Sequence, residues 1–193
     1  MPGTTVISRV LPRAIAFPTL VLALSVPVHA ASFDINLAGW QTVGALGEVG
    51  NSEAFVDIGA GSIITGFEYT GLRFETVGGS FLNEFVLSVN SVSGSSYLDW
   101  SPSTVDASGV FGPASGAWGG VTGSGSGGPF AVADGRVWVT AYEIFLDPGV
   151  NAQVSAGNLR VFYQPVPEPA SYALLLAGLG LIGAAVQRRR AAL

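Results

Sequence analysis

The stretch EFVLSVNSV, Glu84 to Val92, decides the fold. Phe85, Leu87 and Val89 fall on one side of an extended chain, and Glu84, Ser88 and Asn90 on the other, because successive strand side chains point to opposite faces. A helix would scatter the same residues around its circumference. The stretch therefore reads as a strand with Phe85, Leu87 and Val89 directed into a core. Small-residue turns bound it, Val77 to Ser80 before and Ser91 to Ser96 after.

The pattern recurs on both sides. Upstream, Ser32–Leu37 alternates, with Phe33, Ile35 and Leu37 on one face, and a glycine-punctuated loop or short strand containing Trp40 follows from Gly39 to Gly50. Ala54–Ile58 is a strand ending in the turn Gly59 to Gly61. Ser62 to Thr76 reads as one or two strands broken near Gly66 or Gly71, where a missing side chain suits a bulge. Downstream, Tyr97 to Trp100 is a short strand, Arg136 to Leu146 a β-branched and aromatic one, and Asn158 to Tyr163 the last. Between Gly112 and Gly128, 8 of 17 residues are glycine, so Ser101 to Pro129 is expected to be irregular.

Seven to nine short strands over residues 31–164, with no helical periodicity among them, predict an all-β domain, an antiparallel β-sandwich of jelly-roll type. The order from Ser62 to Tyr163 resembles jelly-roll, galactose-binding-like modules such as the proprotein-convertase P domain. That likeness rests on Phe85–Val89, the strand carrying Trp138, and Leu159–Tyr163.

The ends are of another kind. Arg9 and Arg13 precede an apolar run from Ile15 to Val26, and Val28-His29-Ala30 is a small-x-small site before Ala31. Residues 1–30 read as a secretory signal peptide cut by signal peptidase between Ala30 and Ala31. Its removal takes the chain's one histidine, His29, and its one methionine, Met1, and the chain has no cysteine or lysine. What remains has no imidazole, thiol or amine side chain. Ser-His-Asp and Cys-His nucleophiles, Lys Schiff bases and zinc sites built from His or Cys are excluded. From Ala31 to Pro167, 12 acidic residues face three arginines (Arg73, Arg136, Arg160), a net charge of −9. Such a surface repels phosphate backbones, so nucleic acid is not an expected partner.

Few constellations remain. Gly123, Gly125 and Gly128 fit G-x-G-x-x-G, but Pro129 and a strand follow where a dinucleotide site needs a helix, so the run reads as a flexible loop. Asp57, Glu68, Glu75, Glu84, Asp99, Asp134 and Glu143 are the carboxylates a glycosidase would draw on, spaced as a solvated strand face spaces them. Asp99, Asp106, Asp134 and Asp147 lie near turns, where calcium ligands gather, without an EF-hand or repeat pattern. No catalytic residue, metal site or cofactor is expected. Trp100 and Trp118, in or beside the long loop, are the candidate glycan contacts, because an exposed aromatic face stacks on a sugar ring.

The C-terminus reads Pro167-Glu168-Pro169, an uncharged run from Ala170 to Val186, then Gln187 and Arg188-Arg189-Arg190. At a rise of about 1.5 Å per residue the run spans about 26 Å, the lower edge of what crosses a bilayer. Three arginines after it would hold that end in the cytoplasm. Motif, helix and basic cluster, in this order at residues 165–193, resemble the PEP-CTERM sorting tail of exopolysaccharide-producing Gram-negative bacteria. The resemblance implies that exosortase reads Pro167, Glu168 and Pro169 together with Arg188, Arg189 and Arg190, after transient anchoring in the inner membrane. It implies a protein exported to the cell surface or extracellular space. The expected role is structural or adhesive and non-catalytic. The alternatives are a carbohydrate-binding module of the exopolysaccharide matrix, a permanently anchored surface protein, and a small secreted hydrolase.

Overall fold

The computed structural model describes residues 30–121, 123–145, 147–166 and 169–191. Residues 1–29, which hold most of the expected signal peptide, and Pro167 and Glu168 lie outside that set. The described part is mostly antiparallel β-sheet, with one helix at its C-terminal end.

The strands are β1 (Ala31–Asn36), β2 (Gln41–Thr42), β3 (Glu53–Asp57), β4 (Ser62–Thr76), β5 (Phe85–Ser91), β6 (Tyr97–Ser101), β7 (Val110–Ala117), β8 (Ser124–Gly127), β9 (Phe130–Val132), β10 (Arg136–Glu143) and β11 (Ala152–Gln164), and the helix is α1 (Pro169–Ala191). One six-stranded sheet runs β1-β11-β4-β7, with β2 on β11 and β9 on β4. The other, five-stranded, runs β3-β10-β5-β6-β8. Phe67, Tyr69, Leu72 and Phe74 of β4 share one buried core with Phe85, Leu87 and Val89 of β5 and Val137 and Val139 of β10. Phe74 stacks on Phe85 at 4.2 Å between ring centroids, joining the two sheets, and on Phe111 at 5.1 Å.

The inward alternation of Phe85, Leu87 and Val89 is as expected, but the opposite face of β5 is not solvated. Val86, Ser88 and Asn90 are buried as well. Central position explains this: β10 and β6 flank β5 on both sides, and Ser88 and Asn90 hydrogen-bond to Asp99 of β6 and to the Trp138 carbonyl of β10.

The glycine-rich region departs most from expectation. Ser101 to Pro129 contains two strands, β7 against β4 and β8 against β6. Glycine is needed there for space. A Cβ on Gly125 would stand 2.5 Å from the Trp100 ring, one on Gly123 2.6 Å from it, and one on Gly116 2.4 Å from the Tyr69 hydroxyl. The aromatic rings of the neighbouring strands occupy the volume that side chains would fill.

β4 is a single strand that carries the expected irregularities. Its register against β7 shifts between Tyr69 and Leu72, around Gly71, and its register against β11 shifts where Gly66 faces Phe162. β11 starts at Ala152, six residues before the expected Asn158, because β2 and the end of β4 pair with that extension.

Candidate functional sites

Strand alternation builds the first site. Val137, Val139 and Ala141 of β10 point into the core, so Arg136, Trp138, Thr140 and Tyr142 point away from it. Phe55 on β3 stands opposite Trp138, and on β5 Asn90 stands opposite Trp138 and Ser88 opposite Thr140. On β6, Leu98 and Trp100 are in the core, which turns Tyr97 and Asp99 outward. Asp99 is paired with Ser126 of β8. The outer face of the five-stranded sheet thus gathers Phe55, Trp138, Tyr142 and Tyr97 with Glu53, Arg136, Ser88, Asn90, Asp99 and Ser126.

These side chains are held in place. The Phe55 and Trp138 rings lie nearly parallel, 12° apart with centroids at 6.5 Å. The Arg136 guanidinium sits 5.8 Å from the Phe55 ring centre, within cation–π reach. Trp138 Nε1 donates to Glu53 Oε2 at 2.8 Å. Asp99 accepts from both sides, from Ser88 Oγ on Oδ1 and from the Tyr142 hydroxyl on Oδ2 at 3.0 Å. Asn90 Nδ2 donates to Ser88 Oγ at 2.9 Å.

Burial pushes the Asp99 carboxyl up from its ordinary value, against the two hydrogen bonds that favour its charged form. Burial, and then the neighbouring Asp99 charge, pushes the Tyr142 phenol up too, so it stays a donor. An open pocket of about 250 Å³ lies beside this pair, lined by Val86, Asp99, Trp100, Ser101, Ser124, Gly125, Ser126, Tyr142 and Ile144. The six-stranded sheet differs: its outward Arg160 makes two exposed contacts to Asp34, at 2.7 and 3.2 Å.

A second polar cluster is interior. Thr42 Oγ1 donates to Glu143 Oε1 at 2.8 Å, while Ser80 Oγ lies 3.0 Å from Glu143 Oε2 and 3.1 Å from Glu84 Oε2. One hydroxyl hydrogen serves only one of those two oxygens. Burial, reinforced by the Glu84 and Asp147 charges and opposed by the Thr42 and Ser80 hydrogen bonds, pushes the Glu143 carboxyl up to about 7. A protonated Glu143 donates to Ser80, which then donates to Glu84, and every contact is satisfied. Of the carboxylates a glycosidase would draw on, Glu84 and Glu143 are brought together here, and Glu143 is 0% exposed. Among the described residues, no group of three or more His, Cys, Asp or Glu stands close enough to hold a metal ion. Asp134 instead caps the Arg136 amide, and Asp106 accepts from Asn83.

The expected glycan contacts are placed differently from the sequence reading. Trp100 is 4% exposed and belongs to the core, with the glycines at β8 against its ring, so only a sliver of it reaches the pocket wall and no open face is left for stacking. Its large apolar area favours that burial. Trp118 is half-buried against the core, with Nε1 donating to Ser126 O at 3.3 Å. The outward aromatics of this face are Trp138, Phe55, Tyr142 and Tyr97. The alternation of β10 was the signal for them, since Val137 and Val139 inward require Trp138 outward.

At the N-terminal end Ala30 is exposed, and Ala31 is the first residue of β1, paired with Tyr163. At the C-terminal end α1 begins at Pro169 and runs through the arginines, longer than the expected residues 170–186. Its apolar side chains are solvent-exposed, Leu174 by 75% and Leu181 by 74%, and Arg188, Arg189 and Arg190 occupy its last turn. Cations there suit the negative end of the helix dipole. Among the described residues, no helix is long and apolar enough to cross a membrane. The uncharged part of α1 stops short, with three arginines completing its length.

Residues 165–190 match the PEP-CTERM protein-sorting motif. The chain carries a PEP-CTERM sorting tail. The motif marks an exported protein addressed to exosortase, and it leaves the strands outside its compass. No curated protein matches the chain. Two solved structures overlap it at 14% identity. One is a T13 particle of infectious bursal disease virus (TM-score 0.22, 71% of this chain and 36% of that one), the other the Gx strain of the same virus (TM-score 0.21, 81% and 43%). The chain thus spans less than half of either viral chain, and overlaps this poor carry no argument about the β-domain.

Proposed function

We propose that the protein is a precursor whose PEP-CTERM tail delivers a non-catalytic β-domain to the cell surface or extracellular matrix, where its role is structural or adhesive. Signal peptidase cuts after Ala30, residues 170–186 anchor the chain transiently in the inner membrane, and exosortase cuts near Pro167–Pro169. The motif at residues 165–190 is the observation that carries this reading. The position of Ala31 supports it, because a cut after Ala30 leaves β1 whole.

The short apolar run is compatible with anchoring. At about 26 Å it falls a few ångströms short of a hydrocarbon core of about 30 Å, and local thinning of the bilayer and snorkelling of arginine side chains make up such a difference. A helix apolar on all sides and exposed to water is costly, and lipid removes that cost. Setting aside the short β2, β8 and β9, the remaining strands pair as first-eighth-third-sixth and second-seventh-fourth-fifth. That order supports a jelly roll, an architecture that leaves few exposed strand edges on a domain working outside the cell.

The test is replacement of Pro167, Glu168 and Pro169 by alanine in an exosortase-bearing host. Accumulation of uncut, membrane-associated precursor is expected. Unchanged processing would overturn the reading.

A further inference from the structure

The geometry points to a binding site for a neutral oligosaccharide on the outer face of the five-stranded sheet, with Trp138 and Tyr142 as its two aromatic contacts. This deepens the adhesive role proposed above but stands on different residues, so the two can fail separately.

Four observations converge on that face. Trp138 and Tyr142 lie on one strand, four residues apart and on the same side, about 14 Å from each other at a rise of about 3.4 Å per residue. That length suits a short chain of sugars better than a single ring. Each aromatic is edged by a hydrogen-bonding carboxylate that reaches the surface: Trp138 by Glu53, Tyr142 by Asp99. A pyranose needs this combination, since its C–H faces are apolar and its rim carries hydroxyls that donate and accept.

The polar groups are also fixed beforehand. Asn90 and Ser88 are buried beneath the face, and their hydrogen bonds, with that of Tyr142, hold Asp99 in place without a ligand. Ordering entropy on binding is correspondingly small. The pocket of about 250 Å³ beside Asp99 and Tyr142, with Ser124 and Ser126 on its far side, has room for one sugar unit at the end of the chain.

Charge selects neutral glycans. Glu53, Asp57 and Asp99 outnumber Arg136 on the face, and the whole domain carries −9, so uronate or sulfate groups would meet repulsion. The only other described face of comparable size, that of the six-stranded sheet, presents the Asp34–Arg160–Glu68 charges instead.

The experiment uses the full chain in a polyoxyethylene detergent, which contains no sugar. It is titrated with neutral hexasaccharides of glucose, galactose, mannose and N-acetylglucosamine, and with an oligouronate, while the heat of binding is followed by calorimetry. At least one neutral hexasaccharide should bind with a dissociation constant below 1 mM, at least tenfold tighter than its monosaccharide. W138A should weaken it at least tenfold, and Y142F, which keeps the ring and removes the hydroxyl, three- to tenfold. R160A, on the other sheet, should leave it unchanged. Should W138A unfold, W138L, which keeps apolar bulk and removes the ring, serves in its place, with the same loss expected.

Three results would each overturn the inference: no neutral hexasaccharide binds, the oligouronate binds best, or binding survives both W138A and Y142F. A dimer in sedimentation that W138A dissociates would assign the face to a second copy of the chain, and overturn it likewise.

Discussion

Replacing Glu143 by glutamine should make the protein more stable at pH 8 and leave it unchanged at pH 4. Glu143 is fully buried and titrates at about 7, against an ordinary 4.5. The folded protein therefore holds a proton that the unfolded chain releases between those values. Stability from this group is complete below about pH 4.5 and is lost as pH rises through about 7. The interval from about 4.5 to about 7, at about 1.36 kcal/mol for each pH step, gives a loss of about 3 kcal/mol across that window. Glutamine keeps the shape and carries no charge. Its Oε1 accepts from Thr42 Oγ1, and its Nε2 donates to Ser80 Oγ, which donates to Glu84 as before. Urea unfolding of both proteins in non-ionic detergent, at pH steps from 4 to 8.5 and followed by tryptophan fluorescence, measures the difference directly. The two curves should coincide at pH 4 and separate by about 3 kcal/mol at pH 8, with the variant the more stable. Parallel curves, or a variant less stable at pH 8, would refute the protonated relay.

Other outcomes follow from packing. Gly125→Ala places a methyl group 2.3 Å from Asp99 O and 2.5 Å from the Trp100 ring, so it should destabilise by about 1–3 kcal/mol; Gly128→Ala, with nothing within 4 Å, should be close to neutral in the same urea series. Phe85→Ala removes the ring that stacks on Phe74 between the sheets and should cost about 3–5 kcal/mol, read as a fall in the urea midpoint with an unchanged slope.

Elements with strong local alternation were readable from sequence. β1, β3, β5 and β10 all begin within about one residue of their expected positions, β1 and β5 from alternation, and β3 and β10 from short apolar, β-branched or aromatic runs bounded by turns. The sorting tail was readable for a simpler reason: a linear motif needs no partner from elsewhere in the chain. β8 was missed although Gly123, Ser124, Gly125, Ser126 and Gly127 do alternate. Glycine carries no hydrophobic signal, and its meaning depends on the Trp100 ring beneath, which only the register supplies. The buried second face of β5 depends on β6 and β10 in the same way.

The candidate site shows the same limit. Trp100 looked exposed because the loop after it looked irregular. Once β8 pairs with β6, Trp100 becomes core, and the aromatic face passes to Trp138 and Phe55, which touch only because β3 and β10 pair in register. The Thr42–Glu143–Ser80–Glu84 cluster joins residues up to 101 positions apart. No local pattern announces it.

The central claim is that the tail from Pro167 onward is a removable address. An intact mass of the protein recovered from the exterior of its native host tests it most directly. The account predicts a chain that begins at Ala31 and ends near Pro167–Pro169, with or without an added group. A mass that still includes Arg188, Arg189 and Arg190 would contradict it, and would make this a permanently anchored protein.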